Sequence, residues 1–314
     1  MPFPSYSTEE PTAPLSSVAV IGTGDLAYSI ATCFLLASYA VTLCTENPNE
    51  AGTYIRNHAP EINREKLIVN NAFQNPGNTK LIIAVTDEGL LIKQELIASL
   101  EKMVDPSATI AINTESIRLD QLQENAAHPS RIIGLNWTEP AHTTLFLEII
   151  TNEQVSPGVK TQINKIAETI HKDAYTVENS GVRSRLMSAM IREAFYLVEK
   201  GYASVEDIDR ACRNDAGYYL PFAGNCRYMD LMGTYAYGMV MKDLNPDLST
   251  ARELPFFFTK ILETGGEGMK NGKGLYDYTP EEVKNWKEVF NEFSQQIGGI
   301  MKKYPFNYPQ TDLV

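Results

Sequence analysis

The chain has 314 residues, 43% of them hydrophobic and 21% charged, a composition that fits a globular protein with room for two cores and excludes a fibre or a disordered chain. Its formal charge is −12 and no Lys or Arg precedes Arg56, which argues against nucleic acid as a partner and against a positively charged targeting segment. Four cysteines (Cys33, Cys44, Cys212, Cys226) and four histidines (His58, His128, His142, His171) lack disulfide or zinc-ligand spacing, so reduced thiols, a cytoplasmic location and chemistry without a metal are expected.

Residues 1–16, rich in Pro, Ser and Thr, read as a loose arm. A β-branched, apolar strand at 17–21 stops at Gly22-Thr23-Gly24-Asp25-Leu26-Ala27, and a helical stretch and a second strand at 41–44 follow. The uncharged run 26–44 approaches the length of a membrane span. It carries Tyr28, Ser29, Thr32 and Thr42 and breaks at Ala37-Ser38-Tyr39, so it reads as a buried helix and a buried parallel strand, with no membrane element.

Strand, glycine turn, helix, strand is the first unit of a doubly wound sheet. Gly22 would make the tight turn, Gly24 would admit a pyrophosphate, and Ala27 would let helix and strand pack closely, with Asp25 and Leu26 opening the helix. The alternative is a glycine turn with no ligand. A carboxylate at the end of the second strand normally binds the ribose hydroxyls; here Thr45 holds that place and Glu46 follows, with no cation near to meet a 2′-phosphate. NAD is therefore expected over NADP.

Residues 47–80 look interrupted by Pro48, Pro60 and Pro76. Further strands are legible at 81–85, 109–112, 132–135 and 145–150, with a helix at 91–103. After Ser180 the pattern turns helical: 185–200 has apolar helical spacing, Ser204 to Asp207 resembles a capping box, and 223–241 and 256–264 are apolar helix or loop. Pro280-Glu281-Glu282 opens a terminal helix with Val283, Trp286, Val289 and Phe290 on one face, and 304–314 reads as an extended tail. The expected fold is a Rossmann-type, mostly parallel α/β domain at 17–179, then an all-α domain at 180–314.

Within 131–150, RIIGLNWTEPAHTTLFLEII, the residues Gly134, Leu135, Trp137, Pro140 and Glu148 resemble the signature of the 3-hydroxyacyl-CoA dehydrogenase family. The resemblance extends through Glu199 to Asp209 and through 265–278, so it covers nearly all of 18–278. It implies NAD-dependent oxidation of a hydroxyacyl or hydroxy-acid substrate, a place in fatty acid metabolism, and a homodimer built by the second domain. It also implies that Glu88, Lys93 and Asn113 lie at the cofactor; by themselves, Glu88 and Lys93 read equally as a solvated charge pair.

The family's catalytic His is Asn136 here, while Glu148, the carboxylate that would orient it, remains. An amide can donate to a carbonyl oxygen or accept from a hydroxyl, but it exchanges no proton near neutrality. Three companions also differ: Glu115 replaces a substrate-binding serine, Glu139 an asparagine, and Ser184 the asparagine that opens the second domain. Two readings follow. One is a dehydrogenase with a rebuilt proton relay using Glu115, Glu139 or His142, although His142 reads more readily as a surface loop residue. The other is an NAD-binding homologue with impaired catalysis. A shortened arm and an acidic chain leave Arg64 and Lys66 as cations for CoA, so a small hydroxy acid without CoA competes as substrate.

Overall fold

The computed structural model describes residues 16–71, 79–304 and 306, so the expected N-terminal arm, Pro76 and most of the C-terminal tail lie outside the described residues. Two compact units divide the chain, Met1–Gly181 and Val182–Val314.

In the first unit, β1 (Ser17–Ile21) leads through a glycine turn into α1 (Asp25–Leu36) and back along β2 (Ala40–Cys44). The long uncharged run is thus a buried helix and a strand, turned at Ser38 with a left-handed φ of 67°. Next come α2 (Pro48–His58), a single helical turn at Arg64–Lys66, and β3 (Leu67–Asn70). This corrects the expectation of an interrupted arm. Pro48 occupies the first turn of α2, where no intrahelical N–H partner is needed, and its ring sets the helical φ.

There follow β4 (Leu81–Ala84), α3 (Leu90–Met103), β5 (Thr109–Ile112), α4 (Leu119–Gln123) and β6 (Ile132–Trp137). Every residue of β4, β5 and β6 is buried, as strands covered on both faces require. The unit closes with β7 (Phe146–Thr151), α5 (Pro157–Thr169) and β8 (Asp173–Glu178).

The eight strands form one sheet in the order β3-β2-β1-β4-β5-β6-β7-β8. All neighbours are parallel except β6 and β7. Strand order reverses between β1 and β4, and the carboxyl ends of strands at such a switch point form the ligand crevice of doubly wound folds. The antiparallel β7 sets Asn136 opposite Glu148, and β8 sets Tyr175 beside Glu148. Directly paired residues share a sheet face, so these three side chains form a row across β6, β7 and β8.

The loop between β6 and β7 is held from below by Lys172. This nearly buried ammonium donates to the carbonyls of Ala141 and Thr144 and lies 5.8 Å from the Trp137 ring centroid. Ser29 of α1 holds the same loop by accepting from the Ala141 amide at 3.0 Å.

The second unit contains α6 (Arg183–Glu199), α7 (Val205–Ala211), a π-helical turn at Cys212–Ala216, α8 (Gly217–Met232), α9 (Thr234–Leu244), α10 (Phe256–Glu263) and α11 (Pro280–Lys303). Ser204 and Thr279 open α7 and α11 with capping boxes closed by Asp207 and Glu282. The apolar stretch 223–241 is broken at Gly233, whose φ of 112° no regular helix allows. Among the described residues of this unit, only Ala223, Ser249, Ser294 and Gly298 are buried. Leu186, Phe256, Trp286 and Phe293 are each more than half exposed.

Removing the Lys172 head leaves two loop carbonyls without their donor. Lys172→Ala is expected to lower unfolding stability by about 2 kcal/mol, the scale of hydrogen bonds made by a charged group. Urea denaturation of both proteins measures this.

Candidate functional site

The turn after β1 has the shape a dinucleotide needs. Gly22 lies at φ 152°, and a Cβ there would sit 2.7 Å from the Val85 carbonyl oxygen, so only glycine fits. The same Cβ would lie 3.2 Å from that of Ala27, which shows why the helix needs a small residue at that point. Gly24 caps α1 at φ 98°, and apart from its chain neighbours no atom of the described residues lies within 4 Å of where its Cβ would project. Open space above the amide-rich start of a 12-residue helix suits a pyrophosphate, so these residues fit the dinucleotide. Asp25 is the first helical residue, and half-buried Leu26 packs on the core.

At the end of β2, Thr45 is buried and shares its hydroxyl with Thr23 at 3.1 Å and Tyr28 at 3.3 Å. The exposed Glu46 follows, its amide donating to the Thr23 hydroxyl at 3.2 Å. The phenol of Tyr28 also donates to Glu50 at 3.5 Å. Two carboxylates therefore stand near this strand end.

Lys93 is fully buried, so the pair it forms with Glu88 at 3.4 Å is not a solvated one. Its ammonium donates to the Asn113 carbonyl at 2.8 Å, the Asn113 side-chain oxygen at 3.2 Å and the Thr86 hydroxyl at 3.1 Å. Asn113 in turn accepts from the Thr86 amide at 2.9 Å and donates to its carbonyl at 3.1 Å. Glu88 gathers the amides of Glu115, Ser116 and Ile117 at 3.0, 2.7 and 3.1 Å. Burial raises the Glu88 pKa, but those amides and Lys93 outweigh it and hold the carboxyl below its ordinary value. Burial draws the Lys93 ammonium below its ordinary value, against the pull of Glu88.

The loop shaped by Glu88 leads directly to Asn136, which is fully buried. Its oxygen accepts from the Thr114 amide at 2.8 Å, and its NH2 donates to the Thr114 carbonyl at 2.7 Å and to Glu148 at 3.0 Å. Both amide hydrogens are thereby committed inside the protein. Glu148, also fully buried, accepts a second bond from the Tyr175 phenol at 2.9 Å. Gly181 presses its backbone so close to this pair that a Cβ would lie 3.3 Å from the Asn136 nitrogen and collide with the Glu148 carboxylate.

His142 is held elsewhere. Its ring meets His58 at 5.2 Å and Tyr54 at 6.2 Å between centroids, and Tyr54 stacks on His58 at 4.0 Å. It is a half-buried member of an aromatic cluster with α2, not a solvent-facing loop residue. Burial, then His58 and Lys172, push its pKa down to about 4. Glu115 is half-buried on the β5–α4 loop, and Ser184 lies in the first turn of α6 in the second unit.

The fold therefore joins Glu88, Lys93, Asn113, Thr114, Asn136 and Glu148 in one hydrogen-bonded array, and sets His142 apart with His58 and Tyr54. Sequence reasoning passed over Tyr175, Gly181 and Thr114. Only the pairing of β8 with β7 brings Tyr175 to Glu148, and no local motif announces a six-residue edge strand at this distance. Among the described residues no cluster of three or more His, Cys, Asp or Glu side chains forms a metal site, and no helix is long and apolar enough to cross a membrane.

A glycine turn at the switch point of a doubly wound sheet, followed by an all-helical unit, defines a dinucleotide-dependent oxidoreductase. Residues 17–180 match the 3-hydroxyacyl-CoA dehydrogenase NAD binding domain, and residues 182–278 match the 3-hydroxyacyl-CoA dehydrogenase C-terminal domain. The chain belongs to the 3-hydroxyacyl-CoA dehydrogenase family and is an NAD-dependent oxidoreductase.

Similar proteins include 5-formyl-3-hydroxy-2-methylpyridine 4-carboxylate 5-dehydrogenase of Mesorhizobium japonicum, 28% identical over 65% of this chain and 67% of its own length. A probable 3-hydroxybutyryl-CoA dehydrogenase of Bacillus subtilis is 22% identical over 84% of this chain and 98% of its own. A crystal structure of the pyridine-carboxylate enzyme superposes with a TM-score of 0.82 at 21% identity, covering 92% of this chain and 98% of that one. The (S)-3-hydroxybutyryl-CoA dehydrogenase of Ralstonia eutropha gives 0.65 at 20% identity, covering 84% and 99%.

The His142 shift carries a pH signature. A histidine with a folded pKa near 4 and an ordinary value near 6.5 contributes stability that is complete above 6.5 and is lost as pH falls toward 4. Urea midpoints measured across this window are expected to fall for the native chain and to fall less steeply for His142→Phe.

Proposed function

We propose that this chain is an NAD-dependent dehydrogenase of a small hydroxy- or oxo-acid that is not carried on CoA. The observation that carries this is Glu148. A carboxylate with no solvent exposure costs free energy that an idle site has no reason to keep. Here it is held by two donors in a row that begins at the cofactor-side loop. NAD, when bound, supplies the hydride acceptor, and the turn at Gly22, Gly24 and Ala27 would hold its pyrophosphate.

NAD is preferred over NADP because Glu46 and Glu50 stand near the end of β2, where they favour ribose hydroxyls and repel a 2′-phosphate. Lys66, a candidate cation for CoA, is turned to the Ser38 carbonyl at 2.7 Å. The pyridine-carboxylate relative acts, by its name, on a formyl group beside a ring carboxylate, a substrate without CoA. A 3-hydroxyacyl-CoA substrate, and with it fatty acid metabolism, is the second reading, favoured by the family's own name.

We assign 17–179 to the cofactor and 180–314 to substrate and assembly. The assembly is a homodimer, because a helical unit that buries only four described residues needs its apolar faces covered. Free thiols at Cys33, Cys44, Cys212 and Cys226 suit the cytoplasm.

NADH oxidation with aromatic formyl-carboxylates and small oxo acids, set against acetoacetyl-CoA, tests the activity. Free acids are expected to give a kcat/KM at least about tenfold above the thioester, with NADH favoured over NADPH, the ratio that about 1.4 kcal/mol of preference supplies. Turnover of the thioester alone would establish the second reading, and no turnover despite NADH binding would leave a non-catalytic homologue. Light scattering is expected to give twice the 35.0 kDa of one chain, and Trp286→Glu to shift that mass toward one.

A further inference from the structure

We propose that Tyr175 is the proton-exchanging residue of this site and works as a relay with Glu148; this rests on the dehydrogenase reading above. Three observations lead to it. The imidazole position is filled by Asn136, whose amide hydrogens are both committed and which carries no exchangeable proton near neutrality. Glu148 is ionisable but has no solvent exposure, so no substrate hydroxyl reaches it directly. Tyr175 is the member of the row that is both solvent-exposed, at 36%, and bonded to that carboxylate, at 2.9 Å.

The position of the phenol is well determined. Tyr175 pairs with Glu148 in the parallel ladder of β7 and β8, so both side chains rise from the same face. Phe146 fixes the ring by an edge contact, with centroids 5.9 Å apart at 75°. On its other side Glu148 is oriented by the Asn136 NH2, and Asn136 is bolted to both backbone groups of Thr114. Asn136 is thus a positioning residue: it holds the carboxylate so that its second oxygen faces the phenol.

The proton balance closes. The substrate O–H bond breaks and its proton moves to Tyr175 Oη, while NAD, when bound, would accept the hydride from the substrate carbon. The proton already on Tyr175 Oη moves to Glu148 Oε1, so one Oη–H bond forms as another breaks. The substrate oxygen keeps the electron pair and becomes the carbonyl oxygen, and Glu148 ends protonated. Reduction runs the same transfers in reverse. Tyr175 stays neutral before and after, and no free phenolate is required at neutral pH.

Tyr175→Phe keeps the ring and its contact with Phe146 and removes only the hydroxyl. The relay predicts a kcat lower by about a hundredfold, the scale of a lost general acid–base group, with KM and the NADH Kd within about twofold. It further predicts that Glu148→Gln lowers kcat to a similar extent. Glu148→Gln combined with Tyr175→Phe should be no slower than either change alone, since partners in one relay fail as a unit.

A readout without turnover uses NMR of isotope-labelled tyrosine in the native dimer. The Tyr175 ring-carbon resonance should move when Glu148 is protonated, and should stay still in Glu148→Gln. Retention of kcat in Tyr175→Phe within about threefold, or a resonance indifferent to Glu148, overturns the relay and leaves the dehydrogenase reading standing. A native chain inactive on every substrate overturns both.

Discussion

A buried ammonium must be surrounded by acceptors, and the site depends on how Lys93 finds them. It draws on the ends of two neighbouring strands, through Thr86 after β4 and Asn113 after β5, and on Glu88 at the start of the following loop. Glu88 is in turn neutralised by three consecutive backbone amides. Leaving any one group unpaired inside the protein would cost on the order of 1–3 kcal/mol, more for the charged ones, so the geometry of the whole loop is specified together. That specification passes through Thr114 to Asn136 and from there across two strands to Tyr175.

The array also explains how a catalytic position can change without the fold changing. An imidazole held between a carboxylate and a substrate works by exchanging a proton outward. Asn136 instead spends its polar atoms inward, on one backbone amide, one carbonyl and one carboxylate. If Asn136 stands where the family's histidine does, as the resemblance implies, a reactive position has become a brace. Under the proposed relay the proton partner lies beyond Asn136 along the sheet, at the residue that the register of β7 and β8 sets beside Glu148.

Much of this was legible in the sequence. The glycine turn, the buried helix and strand that follow, the all-helical second half and the capping box at Ser204 each come from local chemistry: conformational freedom, hydropathy or a hydroxyl three residues before an acid. The pairing of Asn136 with Glu148 was readable through a family resemblance. β3 was not, because four residues carry too little periodicity and three prolines nearby pointed the other way. Nor were the aromatic cluster of His142 with α2 and the contact of Tyr175 with Glu148, since both join elements far apart in the chain and depend on strand order.

The second unit has a consequence for how the protein behaves in solution. Helices with only four fully buried described residues have a small interior of their own. If a second copy covers their apolar faces, as proposed, folding and association form a single mass-action equilibrium for this half of the chain. A melting temperature or an unfolding free energy measured for it would then be a property of the protein concentration as much as of the sequence.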